Sequence, residues 1–358
     1  MVAVLAVAIL SLTPRGAVFA TWGAEALRGI QRDLYHPERG VYSEAGKGAA
    51  SLLDLRGEAE LVLAFAAAAA YDAKFLPDLQ TAIAASANYW DGSGSPPGFS
   101  EMPFGKASNR SYSDNAALAL ALGEAARISK SARAADLARQ ALTFALAGED
   151  AKRSGVFHSE TRDSSKSADA TASVALAILR EPDVSTPKHA MELYDWVRSN
   201  LRDPNTNLFL PSLTAAGPEG SPNAGDVALM IEIACLLNTS TGDVKYAEQA
   251  RRLETLSLDH WFRLSGEVLT DTLDGAQLAG AWLDRIRLCP RPTETFGASV
   301  EAYSALQRLH DAGPDREGHF GQKFGIRPLR GDGWRVIEQA AAARAFFVAA
   351  LALRPAKK

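Results

Sequence analysis

The chain has 358 residues, of which 47% are hydrophobic, and a formal net charge of -4. That composition belongs to a globular protein and excludes a disordered one. Its 38 Lys and Arg are dispersed and outnumbered by 42 Asp and Glu, so no basic patch offers itself to nucleic acid.

The chain opens MVAVLAVAILSLTPRGAVFA. An apolar run from Val2 to Leu12 precedes the small-residue site Val18-Phe19-Ala20. The pattern predicts a removable leader, residues 1–20, cleaved after Ala20, with a single domain over 21–354 and a secreted or periplasmic protein. The competing reading is a short buried helix at the start of the domain, since no Lys or Arg precedes the run. The run is too short to span a bilayer as a helix. No later segment reaches 18 apolar residues without a charge, so no stable membrane anchor is expected.

From there on, apolar residues recur at helical spacing, Ala and Leu dominate, and alternating Val/Ile runs are rare. This predicts an all-α protein. Six segments share one plan, a short polar stretch with an acid followed by a very apolar helix. They begin LLDLRGEAEL, YSDNAALALA, SADATASVAL, NAGDVALMIE, LDGAQLAGAW and WRVIEQAAAA. Their leading acids are Asp54, Asp114, Asp169, Asp226, Asp274 and Glu338, spaced 48 to 64 residues apart. Amphipathic helices such as SARAADLARQALTFAL lie between them. A helix apolar on nearly every face must be buried, and an amphipathic one covers it. Six of each predict a double ring, the (α/α)6 toroid, with one domain and no linker. The polar turns before the inner helices then gather at one end and build a carboxylate-lined cleft. The loops GSGSPPG, 92–98, and DREGHFGQKFGIRPLRGDG, 315–333, are expected to open onto it or close it.

The segment NYWDGSGSPPGFSEMPFGKASNRSYSDNAALALALGEA resembles the core of glycoside hydrolase family 76, the endo-α-1,6-mannanases and their relatives. Four later stretches, from GVFHSETRDSS to GEVLTDTLDGAQ, resemble the family in the same order, so that the likeness spans most of residues 22–350. It implies a toroid acting on, or binding, an α-linked mannan-type oligo- or polysaccharide, as a monomer and without cofactor or metal. In that family two adjacent aspartates at the start of an inner helix supply nucleophile and general acid/base. Here the first of the two positions is Ser113 and the second Asp114. The family tryptophan is Ala117, an asparagine position is Asp169, and a Tyr-Asn-Gln-Gly stretch is Pro222-Asn223-Ala224-Gly225.

Retaining hydrolysis needs two carboxyls about 5 to 5.5 Å apart, and inversion about 6.5 to 9.5 Å. A neutral serine replaces neither. Asp114 is therefore expected as acid/base, with the second carboxylate drawn from Asp91, Glu101, Glu160, Asp163, Asp169, Asp226 or Asp274. Asp169 and Asp226 are preferred because they head inner helices. Each of these acids can equally be a helix cap. Trp90, Phe99 and Tyr112, beside Tyr89 and Phe104, are candidates for sugar stacking or for packing the loop. Ser113, Asn115, His158 and Asn223 complete the expected substrate-binding set. The protein could be an enzyme with an altered pair, a glycan binder that no longer cleaves, or a toroid turned to other chemistry.

Elsewhere the signals are structural. Cys235 and Cys289 sit in apolar runs and are expected as small buried residues, with a disulfide between them left open. DPNTN, 203–207, spaces oxygens like some calcium loops but lacks the distal glutamate, so a turn is expected.

Overall fold

A computed structural model describes residues 16–45, 51–105, 110–161, 165–181, 185–289, 295–329 and 334–354. The apolar core of the expected leader, and Asp163, lie outside them. Among the described residues there are twelve α-helices. Six form the outer layer: α1 (Gly16–Asp33), α3 (Leu76–Ser86), α5 (Ala132–Leu146), α7 (Pro187–Asn200), α9 (Val244–Trp261) and α11 (Thr295–Ala312). Six form the inner layer: α2 (Leu55–Tyr71), α4 (Tyr112–Ser129), α6 (Ala168–Arg180), α8 (Ala224–Thr241), α10 (Thr272–Leu288) and α12 (Val336–Ala352). Each inner helix packs on the next, and α12 closes on α2, which completes the (α/α)6 ring.

Burial follows the sequence pattern. In α8, Val227, Met230, Ile231, Ile233 and Leu237 are buried around the whole circumference. In α5 the buried residues Ala134, Ala138, Ala141, Leu142 and Ala145 form one stripe, as an outer helix requires. α1 lies against α12, with Phe19 fully buried between Trp22, Tyr303 and Phe346. The expected cleavage site after Ala20 thus falls inside a packed helix that starts at Gly16.

Connections divide by length. Those from inner to outer helices are mostly tight. α4 ends at Lys130 with φ 58° and α8 at Gly242 with φ 72°, the left-handed residue that commonly stops a helix. Those from outer to inner are long and carry all the described strands, as antiparallel pieces of two or three residues. Among them β1 (Tyr35–His36), β2 (Val41–Tyr42), β3 (Trp90–Asp91) and β4 (Gly98–Phe99) form two ribbons. β5 (Lys166–Ser167), β6 (Ser212–Thr214) and β7 (Gly217–Glu219) form the third. The elaborated loops therefore all surround the N-terminal ends of the inner helices.

Cys235 and Cys289 are buried free thiols, with Cys289 Sγ 4.0 Å from the Cys235 carbonyl oxygen. The DPNTN segment is a tight turn. Asp203 accepts from the Asn205 and Thr206 amides at 3.1 and 3.2 Å and from Thr206 Oγ1 at 2.6 Å.

Candidate active site

The inner helices do not start on the acids that the repeat pattern singles out. Ser111 caps α4, its Oγ accepting from the Asp114 amide at 3.0 Å. Ser167 caps α6, Asn223 caps α8 and Asp271 caps α10 in the same way. Of the six leading acids only Asp54 is itself the cap, accepting from the Gly57 amide at 2.7 Å. The capping explanation for Asp114, Asp169, Asp226 and Asp274 therefore fails. A Ser, Asn or Asp two or three residues upstream already satisfies the open amides. The four carboxyls are left to face one another inside the ring.

Arg56 organises them. It stands in the first turn of α2, where a cation opposes the helix dipole, and its fork grips Asp169 with Nη1–Oδ2 at 3.1 Å and Nη2–Oδ1 at 3.2 Å. Ser113 Oγ, from α4, donates to the same Asp169 Oδ2. Ser173 Oγ donates to Oδ1 at 3.3 Å. Burial pushes Asp169 up, but the charge of Arg56 and the hydrogen bonds from Ser113 and Arg56 outweigh it, so its pKa is held below the usual carboxylate value. Asp114 goes the other way. Burial raises it, the negative charges of Asp169 and Asp54 add to that, and Arg56 offsets only part. Asp226, 4% exposed, is raised well above normal by burial and then by Asp169 and Asp274. Asp274 is pushed up to about 6, chiefly by burial and then by Asp271. One ionised carboxylate thus sits among three that resist ionising. Environments that drive neighbouring acids apart in this way are the arrangement that acid/base chemistry uses.

Asn223 positions rather than reacts. Its Oδ1 accepts from the Asp226 amide at 2.9 Å and its Nδ2 donates to Asp274 Oδ2 at 2.7 Å. Gly225 lies beside them, and a Cβ there would come within 2.7 Å of Asp274 Oδ1. Below this layer the ring axis stays polar. Gln277 Nε2 donates to Glu60 Oε2 at 3.3 Å, and Arg344 Nη1 approaches both Glu60 oxygens at 3.4 Å.

The expected glycan-facing residues divide. Trp90 is exposed at the rim, its ring edge-on to Phe99. Phe104, also exposed, is the other aromatic open to solvent there. Phe99 is a correction: it is fully buried and offers no face to a sugar. So is Asn115, also fully buried, which clamps the β4 backbone through Oδ1 to the Phe99 amide and Nδ2 to the Phe99 carbonyl. Both side chains serve to dock the 92–98 loop on α4. Tyr112 turns outward to pack on Phe144, ring centroids 4.9 Å apart. His158 is exposed, its carbonyl accepts from the Tyr112 amide at 2.9 Å, and its imidazole adds to the field at Asp169. Of the other carboxylates, Glu160 is committed to a two-bond ion pair with buried Arg110, at 2.8 and 2.7 Å. Asp91 accepts from the Ser93 amide and hydroxyl within its own turn. The 315–329 part of the second loop is pinned to α12, where Gln339 pairs with both the amide and the carbonyl of Phe320.

No family model and no curated protein matches this chain. Solved structures do. A family 76 α-mannanase from Bacteroides thetaiotaomicron is 20% identical, with a TM-score of 0.84 over 93% of this chain and 95% of that one. An α-1,6-mannanase from Salegentibacter sp. is 14% identical, with a TM-score of 0.78 over 93% and 99%. A variant of that mannanase with two adjacent aspartates replaced is inactive and is seen in complex with α-1,6-mannotriose. A cellobiose 2-epimerase from Bacillus thermoamylovorans is 13% identical, with a TM-score of 0.71 over 91% and 99%. Likeness at these identities speaks for the fold, and fold alone does not assign chemistry. The chain is an (α/α)6 toroid similar in architecture, over nine-tenths of its length, to the family 76 glycoside hydrolases.

Proposed function

We propose that this protein is a family 76-like glycoside hydrolase acting on an α-linked, mannan-type glycan, with Asp114 as the proton-bearing acid and Asp169 as the ionised partner. The observation that carries the reading is the placement of Arg56, whose fork together with Ser113 Oγ holds the Asp169 carboxylate, while burial beside it raises Asp114. The family resemblance matches its two catalytic aspartates to Ser113 and Asp114. The first carboxylate is missing from α4, and Asp169 of α6 presents one that Ser113 Oγ contacts directly. Asp114 protonates the leaving oxygen, and Asp169 supplies negative charge to the oxocarbenium-like transition state or activates water. Asp226 and Asp274, held toward their neutral forms, have protons to donate to sugar oxygens, and Trp90 stacks at the rim.

A second reading, a glycan binder that no longer cleaves, has one observation in its favour. The Asp169 carboxylate is engaged by Arg56, Ser113 and Ser173 at once, and a carboxylate so held is a weak nucleophile. Incubation with α-1,6-linked mannan and reducing-end detection separates the two. Cleavage that disappears in both Asp114→Asn and Asp169→Asn, with melting temperature preserved, supports the enzyme. Saturable binding of α-1,6-mannotetraose by wild type without cleavage establishes the second reading instead. The same proposal has the protein acting outside the cytoplasm as a monomer, which fractionation and sedimentation test.

A further inference from the structure

At the end of the ring opposite the aspartates, the C-terminal turns of the inner helices line an open cavity of about 240 Å³. It lies below Glu60 and Arg344. A space of about 30 Å³ that also reaches Arg56 adjoins it through Leu63, Leu120, Glu232 and Arg344. Four arginines line the larger cavity: Arg127, Arg180, Arg287 and Arg344. They face three carboxylates, Glu124, Glu232 and Asp284.

Two of the arginines are satisfied within their own helix turns. Arg127 Nε donates to Glu124 at 3.0 Å, and Arg287 donates to Asp284 at 3.1 and 2.8 Å. The other two are not. Arg180 reaches Glu124 and Glu232 only at 3.9 Å, beyond hydrogen-bond range, and its buried Nε has no partner among the described residues. Arg344 donates from Nη1 to both Glu60 oxygens at 3.4 Å, while its Nη2 stands 3.8 Å from Glu232. These two project from α6 and α12, which stand opposite each other in the ring, and both reach toward the carboxylate of Glu232 from α8. Neutralising helix dipoles accounts for arginines in last turns, as with Arg127, Arg180 and Arg287. It does not account for Arg344 in the middle of α12, where Glu60 pairs with one nitrogen of the guanidinium and leaves the other toward the cavity. Four guanidinium groups, one with an unpartnered Nε, around a partly apolar cavity walled by Leu63, Leu120 and Val348 are the chemistry that selects oxyanions.

We propose that this cavity is a binding site for a small oxyanion, a phosphoryl or carboxylate group, held between Arg180 and Arg344. The site is separate from the glycan cleft and does not depend on the proposed hydrolysis. The anion completes the donors that Glu232 leaves unused, and Glu232 limits affinity by its like charge.

The test is titration of the whole chain with inorganic phosphate by calorimetry, at ionic strength matched with chloride so that screening stays constant. The expected result is saturable binding at one site. Arg180→Gln weakens it at least tenfold. Glu232→Gln tightens it, because it removes the competing charge. The opposite signs of the two variants mark a site, since an ion-pair network with no ligand would respond to neither. Absence of saturable phosphate binding to wild type overturns the proposal, and so does unchanged affinity in Arg180→Gln. If Arg180→Gln does not fold, Glu232→Gln decides alone: weaker or unchanged binding there defeats the assignment.

Discussion

Ser113 Oγ donates to Asp169 Oδ2 across the gap between the starts of α4 and α6. The hydroxyl stands where the family resemblance puts a carboxylate, and the carboxylate stands where it puts an asparagine. We propose that the two departures are one exchange, with the negative charge on the neighbouring helix. Moving it back is therefore a defined experiment. Ser113→Asp alone places two carboxylates in contact, and the expected outcome is a lower melting temperature and a raised Asp169 pKa. The double variant Ser113→Asp/Asp169→Asn restores an adjacent aspartate pair on α4 with an amide opposite. We expect it to be more stable than the single variant and to release reducing ends from α-1,6-linked mannan. A double variant no more stable than Ser113→Asp would show that the positions do not exchange.

Arg56 fixes the pH range of the proposed chemistry. Activity needs Asp169 ionised and Asp114 protonated. It falls as pH drops through the lowered Asp169 pKa, and again as pH rises through the raised Asp114 pKa, giving an optimum between the two. Arg56 pulls both values down. Arg56→Gln should therefore move both limbs of the kcat/KM profile to higher pH, the acid limb further because Asp169 loses two hydrogen bonds as well as the charge. A profile that only loses height, with its limbs in place, would remove Arg56 from this role.

The toroid was legible in the sequence because its signal repeats. Six apolar helices, each behind a polar turn, have no other way to bury themselves. The grouping of Asp114, Asp169 and Asp226 followed from the same repeat. What the pattern could not show is which residue of each polar turn caps. Ser111 and Ser167 look like ordinary loop residues in the sequence and Asn223 like a substrate-binding one, so the acids after them read as possible caps. Phe99 and Asn115 were misplaced for a related reason: composition identifies an aromatic or an amide near a cleft but not the direction it points. Arg56 had a signal that went unread, a cation in the first turn of a mostly apolar helix, where the dipole disfavours it. Arg344 and Glu232 had a weaker one, single charges inside runs that are apolar on every face.

The outer and inner layers are also held by charge away from the axis. Arg285 of α10, 2% exposed, places Nε 2.6 Å from Glu254 Oε2 and donates from Nη2 to Oε1 at 3.0 Å, while Trp282 Nε1 donates to Ser257 at 2.9 Å. Removing one partner strands a buried charge. Glu254→Ala is expected to cost about 3–5 kcal/mol in chemical denaturation. The double variant Glu254→Leu/Arg285→Met should recover much of that loss. Equal losses in both would mean that the charge was not the cause.

Helix α1 ties the chain start to the ring. Phe19 is buried against Tyr303 and Phe346. A chain starting at Thr21 loses this ring and the first turn of α1, whereas one starting at Gly16 keeps both. Deleting residues 1–20 should lower the melting temperature by several degrees relative to deleting 1–15, since truncating a buried Phe costs about 3 kcal/mol or more. Equal melting temperatures would mean that this turn contributes nothing and that cleavage after Ala20 is tolerated without cost.

Glu58 makes stability fall with rising pH. It is fully buried in α2, its Oε1 accepts from Ser86 Oγ at 3.0 Å, and Oε2 is buried with no partner among the described residues. Burial pushes its pKa up from 4.5 to about 8. The folded protein keeps this proton between those values while the unfolded chain releases it. Unfolding is therefore favoured by up to ~1.4 kcal/mol for each pH unit across that window. The stabilisation is complete below pH 4.5 and is lost as pH rises through about 8. Glu58→Gln keeps the acceptor for Ser86 and has no proton to lose. Urea unfolding at pH 5 and pH 8 should show a large drop in stability for wild type and a smaller one for Glu58→Gln, with the variant the more stable at pH 8. Parallel losses in the two proteins would assign the pH dependence to other groups and leave Glu58 as a packing residue only.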